Sequence, residues 1–243
     1  MRIEEFKDRL SRNELLAIAD EAVRELEVGS DEQLVLTEVL MLEHVDRLIM
    51  RRLSLPTFRR WRTRHVRLRD AQRAPTHWGI DPRAPVATLA RSLDVDGCGL
   101  VIGASASPIA LFLAAHDWSV VFVDQELGTV EAAETRAAAE ALALNFQALM
   151  ISLGGWFPDV TPALTVLDPR TLATLDGEER DALVSMLKSR TPKGGVHCLM
   201  PADADEDGVI RIAPETVKVL YEGWHIDRGT VGESGTWFVA RHP

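Results

Sequence analysis

The turn Gly103-Ala104-Ser105-Ala106-Ser107 follows the apolar run that begins at Cys98 and leads directly into Pro108. A turn of this kind between a strand and a helix offers backbone N–H groups to a polar or charged ligand, and proline at the first helical turn sacrifices no needed donor. Asp124 closes the next apolar run, Val120-Val-Phe-Val, 21 residues after Gly103. A carboxylate at that place can accept both hydroxyls of a ribose. Asp168 and Arg170 close a third such run, Ala163-Leu-Thr-Val-Leu, where they could work on a reacting group or serve as a helix N-cap and a surface cation.

These residues need a sheet that carries them to one edge. Five short apolar runs, Cys98–Gly103, Val120–Asp124, Phe146–Ile151, Ala163–Asp168 and Gly195–Met200, alternate with helical stretches at Pro108–Ala115, Thr129–Leu144, Gly177–Leu187 and Pro214–Leu220. Uninterrupted apolar strands between amphipathic helices predict an α/β fold with a parallel sheet covered on both faces, and ligands of such sheets bind outside the carboxyl ends of the strands. Trp224–Thr230 and Thr236–Arg241, flanking Gly232-Glu-Ser-Gly235, predict an antiparallel hairpin at the end.

The residues before this alternation read as helices. Ser11 with Glu14 forms a capping-box pattern, and Leu15, Ile18, Ala22 and Leu26 recur at helical spacing up to Gly29. A second helix is expected from Ser30 or Asp31 to about Leu53, and a third, arginine-rich one from Thr57 to about Arg73. Three prolines and a glycine between Ala74 and Pro85 read as a connector, so the expected division is a helical region 1–75, a connector 76–96 and a sheet domain 97–243.

From the strand at Leu100-Val-Ile-Gly103 through Leu113-Ala114 to Val120-Val-Phe-Val-Asp124, the chain resembles the first two motifs of class I S-adenosylmethionine-dependent methyltransferases. Leu164-Thr-Val-Leu-Asp168, Pro192-Lys-Gly-Gly195 and the final hairpin are similar to the later elements of that family in the same order, over roughly residues 97–241. Asp168-Pro-Arg170, Leu172, Leu175 and Arg180 are similar to its thiopurine and tellurite-resistance branch, with Pro169 interrupting the Asp-Arg pair. The resemblance implies a Rossmann-like seven-stranded methyltransferase sheet, mostly parallel with an antiparallel C-terminal hairpin, and an all-helical N-terminal region. It implies S-adenosylmethionine as cofactor, held by Gly103, Ala104, Ser105 and Ser107 along the methionyl part, by Asp124 on the ribose with Gln125 beside it, and by Ser152 near the adenine. Asp168 and Arg170 would then face a small-molecule methyl acceptor as the catalytic residues. The chain departs from the family at Ser105 and Ser107, which replace loop glycines, and at Val101, which stands where an acid is usual.

Two readings stand beside methyl transfer: a non-catalytic, methyltransferase-like binding or scaffold protein that has lost the cofactor, and nucleic-acid binding or modification through residues 51–73. The formal charge of −10 opposes general coating of nucleic acid, but it is uneven. Residues 1–50 carry thirteen acids and six bases, residues 51–73 nine arginines against Asp70 alone, and residues 74–243 twenty-three acids and twelve bases. Interleaved arginines and rings at Phe58–Arg69 could contact phosphates and bases, but so many acids in the same chain favour their pairing with protein carboxylates. The helical region 1–75 is expected to cap the site or to mediate self-association.

Cys98 and Cys198 lie in apolar runs, so a reducing cytoplasm is the expected location. The seven scattered histidines lack helical metal-site spacing, and neither a signal-peptide core nor a membrane-length apolar run is found. Trp78 and Trp156, each in a Gly- and Pro-rich stretch, are expected to plug loop against core or to wall a pocket.

Overall fold

The computed structural model describes residues 2–28, 38–93, 97–201, 213–230 and 235–243. The helix boundaries expected at Gly29, Ser30 and Asp31 and the turn at 232–234 lie outside the described residues. The chain forms two compact units, Met1–Arg67 and Leu68–Pro243.

The first unit contains α1 (Arg2–Arg9), α2 (Arg12–Val28), α3 (Glu38–Arg52) and most of α4 (Phe58–Gln72). The Ser11 capping box is present: Ser11 N and Oγ both donate to Glu14 Oε2, at 2.8 and 2.7 Å. Ile18 and Ala22 of α2 pack with Leu48 and Ile49 of α3 in a small core flanked by Ile3, Phe6, Leu10, Val45 and Leu53. The arginines at the end of α3 turn to the acids of α2: Arg51 lies 3.0 Å from Glu25, and Arg52 pairs with Glu21.

In the second unit, seven strands form one sheet in the order β3-β2-β1-β4-β5-β7-β6. They are β1 (Cys98–Ile102), β2 (Ser119–Asp124), β3 (Phe146–Met150), β4 (Pro162–Leu167), β5 (Val196–Leu199), β6 (His225–Thr230) and β7 (Thr236–Arg241). The first five are parallel; β7 is antiparallel to β5 and to β6. Because successive strand residues point to opposite faces, each apolar run fills two cores. Val101, Phe122, Val166 and Cys198 meet one layer with α6 (Ser107–Ala115) and α7 (Leu127–Ala139). Leu100, Ile102, Val123 and Leu199 meet the other with α8 (Pro169–Ala173), α9 (Gly177–Arg190) and α10 (Pro214–Leu220). Among the described residues, no helix is long and apolar enough to cross a membrane.

The stretch expected as a connector joins the sheet unit. A 3-10 turn over Pro75–Trp78 and helix α5 (Pro85–Ser92) put Trp78, Ile80, Ala84, Val86, Leu89 and Ala90 into the first of those cores. Pro75 and Pro85 start these elements rather than break them, because the first helical turn has no use for the missing N–H. The Trp78 indole donates to Gln72 O at 2.6 Å and lies under the Arg136 guanidinium. Arg69 and Arg73 of the basic block both pair with Asp117, Arg73 at 2.7 Å, whereas Arg59, Arg60, Arg62, Arg64 and Arg67 form no ion pair with any described residue.

Beneath β5, Thr191 Oγ1 donates to Leu187 O and so accepts from His197 Nε2–H at 2.8 Å, leaving His197 Nδ1 to accept from the Tyr221 hydroxyl at 3.0 Å. Burial, with the charges of Lys188 and His242, pushes the imidazole pKa down from 6.5 to about 3. The folded chain therefore refuses a proton that the unfolded chain binds below pH 6.5, and stability should fall by roughly 1 kcal/mol per pH unit from there towards pH 3. His116, held low mainly by burial, adds in the same direction. In urea titrations between pH 7.5 and 5, His197→Phe should flatten this slope whatever its absolute cost; an unchanged slope would rule out His197 as its main source.

Candidate functional site

The ladders run past the strand ends and align the site residues along one edge. Gly103 N donates to Val123 O, Ile151 N to Asp124 O, Asp168 N to Ile102 O and Met200 N to Leu167 O, all within 2.9–3.0 Å. Asp124 thus ends β2, and Gly103, Asp168 and Met200 follow β1, β4 and β5 at the carboxyl edge, with Ser152 one residue beyond the end of that ladder on the β3 side.

Gly103 has φ +100°, and a Cβ there would lie 2.5 Å from Asp168 Cβ and against the Thr171 hydroxyl. The loop is closed internally more than its sequence implies. Ala106 N donates to Gly103 O, Ser107 N to Ala104 O, and Ser105 N to Asp168 Oδ2 at 3.1 Å. Three amides expected to face a ligand, those of Ser105, Ala106 and Ser107, are therefore engaged: the first by Asp168 and the other two by the 3-10 turn over Ala104–Ala106 that precedes α6.

Asp168 is 3% exposed, and its other oxygen, Oδ1, accepts from Arg170 N at 2.9 Å as the N-cap of α8. One carboxylate thereby ties the β1 loop to the β4 loop, and neither oxygen is left without a backbone donor. Arg170 is exposed on α8. Asp124 is also buried; its Oδ1 accepts from Glu126 N at 2.9 Å, and its Oδ2 has no hydrogen-bond donor among the described residues. Gln125 is exposed, with its amide 3.4 Å from Thr174 Oγ1, and Ser152 is exposed in the turn after β3.

A cleft of about 320 Å³ opens beside the loop. Trp78, Ile80, Asp81 and Ala84 form one wall, Ser105, Pro108 and Ile109 another, and Asp168, Arg170, Met200, Pro201 and Trp237 the rest. It gathers Ser105, Asp168 and Arg170; Asp124, Gln125 and Ser152 lie outside its lining, towards β2 and β3. Trp78 is both plug and wall, whereas Trp156 is 68% exposed and takes no part in the cleft. Sequence reading missed Ile80, Asp81, Met200 and Trp237. The Gly-Pro context of Trp78 was a signal for the first two, but none marked Trp237, which reaches the edge only because Phe238 pairs with Leu199.

This strand order and hairpin define the class I S-adenosylmethionine-dependent methyltransferase fold. The chain is similar to TehB from Haemophilus influenzae (TM-score 0.52, 16% identity, 65% of this chain and 61% of that one). It thus spans less than two thirds of TehB. It is likewise similar to the glycopeptide N-methyltransferase MtfA complexed with S-adenosyl-L-methionine (TM-score 0.52, 15% identity, 67% and 95%). A third similar structure is the N-methyltransferase NodS from Bradyrhizobium japonicum WM9 (TM-score 0.50, 16% identity, 78% and 99%). No protein-family model matches the sequence, and comparison with curated proteins gives no match.

Proposed function

We propose that the protein transfers a methyl group from S-adenosylmethionine to a small molecule. The observation that carries this reading is the pairing, on adjacent strands at the carboxyl edge, of the Gly103 turn with a buried Asp124 that keeps one carboxylate oxygen open. The residues fit the cofactor at its ribose end: Asp124 Oδ2 can accept from the diol, with Gln125 and Ser152 exposed nearby on the same edge. Towards the methionyl end the fit comes from the outer surface of the 103–107 turn and the hydroxyls of Ser105 and Ser107 more than from free amides. That the similar MtfA is solved with S-adenosyl-L-methionine supports the choice of cofactor.

When bound, the cofactor supplies an electrophilic methyl group on a sulfonium. The chain's own work is then positional: Asp124 orients one end, the turn fixes the other, and the cleft holds the acceptor in line and sheds water. Such a displacement gains most of its rate from proximity and orientation. Asp168 acts as a positioning residue that keeps the two loops in register, while Arg170 faces the acceptor. The helical region is a further part of this reading: exposed Leu16, Leu42, Phe58 and Trp61 favour self-association there.

Thermal shift with S-adenosylmethionine and S-adenosylhomocysteine tests the reading. At a hundred times Kd the fold should gain about 2.7 kcal/mol. Asp124→Ala should weaken binding roughly tenfold to a hundredfold, the worth of hydrogen bonds to a charged acceptor. Its unliganded melting point reports separately on the lost Glu126 contact. No stabilisation of the unaltered protein at millimolar ligand would overturn the proposal.

A further inference from the structure

Helix α4 carries charge that the described chain does not answer. Residues 51–73 hold nine arginines and no lysine, and the pairing with protein carboxylates expected in so acidic a chain is realised only at the two ends. Arg51 and Arg52 pair with Glu25 and Glu21, and Arg69 and Arg73 with Asp117. The five between them, Arg59, Arg60, Arg62, Arg64 and Arg67, are exposed and meet no described carboxylate. Residues 57–67 contain no acid.

Two sides of this helix differ. Phe58, Trp61 and His65, three and four residues apart, stack into a column, with the Trp61 and His65 rings 5.2 Å apart and 9° from parallel. Arg60, Arg64 and Arg67 share another side, where they line an open depression of about 560 Å³ with Thr57, Arg59 and Thr63. No ring and no wholly apolar side chain lines it, so this face suits a charged partner in water; lying in a membrane surface requires an apolar face. Like charges one turn apart work against the helix that bears them, and an anionic partner removes that repulsion.

We infer that this face of α4 docks the phosphate backbone of a double-stranded nucleic acid, without regard to base sequence. Guanidinium forks meet phosphate oxygens two at a time, whereas a lysine acts as a point charge. From Arg60 to Arg67 the helix rises about 10 Å, and a duplex presents one charge per roughly 1.7 Å of its axis, about twice the density of a single strand. A second copy offers this face little through its own helices, where Glu21, Glu25 and Asp46 are already paired. The formal charge of −10 does not oppose so local a contact, since at 0.1 M salt exposed charges more than about 10 Å away are largely screened. None of the five arginines lines the cleft, so the inference is independent of methyl transfer.

Fluorescence anisotropy of a labelled DNA duplex of about 20 base pairs, titrated with the full chain between about 50 and 200 mM salt, is the test. Five phosphate contacts give a slope of log K against log salt of about −4.5, a loss of roughly 500-fold over that range. Arg60→Gln, Arg64→Gln and Arg67→Gln together should reduce the slope to about −2. These side chains are exposed and glutamine keeps the helix propensity, so the fold should survive, and a melting curve checks that it does. A control that removes three charges elsewhere on the surface, Arg12→Gln with Arg47→Gln and Lys218→Gln, should leave the slope unchanged. No duplex binding at the lowest salt overturns the inference, as does a slope that both variants reduce alike. So does a chain that ignores the duplex and instead sediments with phosphatidylserine vesicles, or forms dimers that the α4 variant dissolves. Those results would give the face to a membrane or to a second copy.

Discussion

Gly103→Ala should lower stability by roughly 3 kcal/mol or more, a drop of about 6–12 °C in melting temperature for a unit of this size. The backbone there has φ +100°, a region open to glycine, and the added methyl would meet Asp168 Cβ at 2.5 Å. Relaxation is blocked from both sides, since Gly103 N donates to Val123 O and Gly103 O accepts from Ala106 N, each at 3.0 Å. Gly79→Ala is the control: φ is +73° there, but nothing lies within 4 Å of a new Cβ. That variant should lose only about 1 kcal/mol, the backbone part alone. Equal melting points for the two variants would show that the turn does not press against Asp168 and Thr171 beyond β4.

Asp168→Asn is the second large effect, expected at roughly 2–4 kcal/mol. A carboxylate serves two N–H donors, from Ser105 and Arg170, with two acceptor oxygens. An asparagine keeps one oxygen and turns an NH2 group against the other donor, in a place with almost no water. A role in proton transfer alone predicts the opposite pattern, with activity lost and stability kept. Chemical denaturation beside a methyl-transfer assay separates them, and full stability with abolished turnover would remove Asp168 from the positioning role.

The sheet was legible because its signal is redundant. The strands of the parallel core are apolar on both faces, and the described edges fall within a residue or two of the runs in the sequence. Helix α5 was hidden because Pro82, Ala84 and Pro85 read locally as loop, and only burial of Val86, Leu89 and Ala90 against the sheet stabilises so short a helix. Helix α7 ends at Ala139 and not near Leu144, since Ala141 takes a left-handed turn (φ 58°) that an alanine-rich sequence does not announce. In the site, Gly103 and Asp124 were readable from spacing. The capture of the Ser105 amide by Asp168 was not, because it depends on how closely two loops approach, and Trp237 depends on a strand register set across the hairpin.

The wall over residues 78–84 is built on alternate principles. Trp78, Ile80 and Ala84 are anchored in the core, whereas Gly79, Pro82 and Arg83 are exposed between them and Asp81 is only partly covered. Heritable change at Gly79 or Asp81, the outer positions that line the cleft, can remodel one side of it without touching a strand ladder or the loop that Asp168 braces. On the methyl-transfer reading proposed above, acceptor preference and foldability are thereby written in separate letters of the chain, and the wall is free to drift while the sheet that presents it is kept.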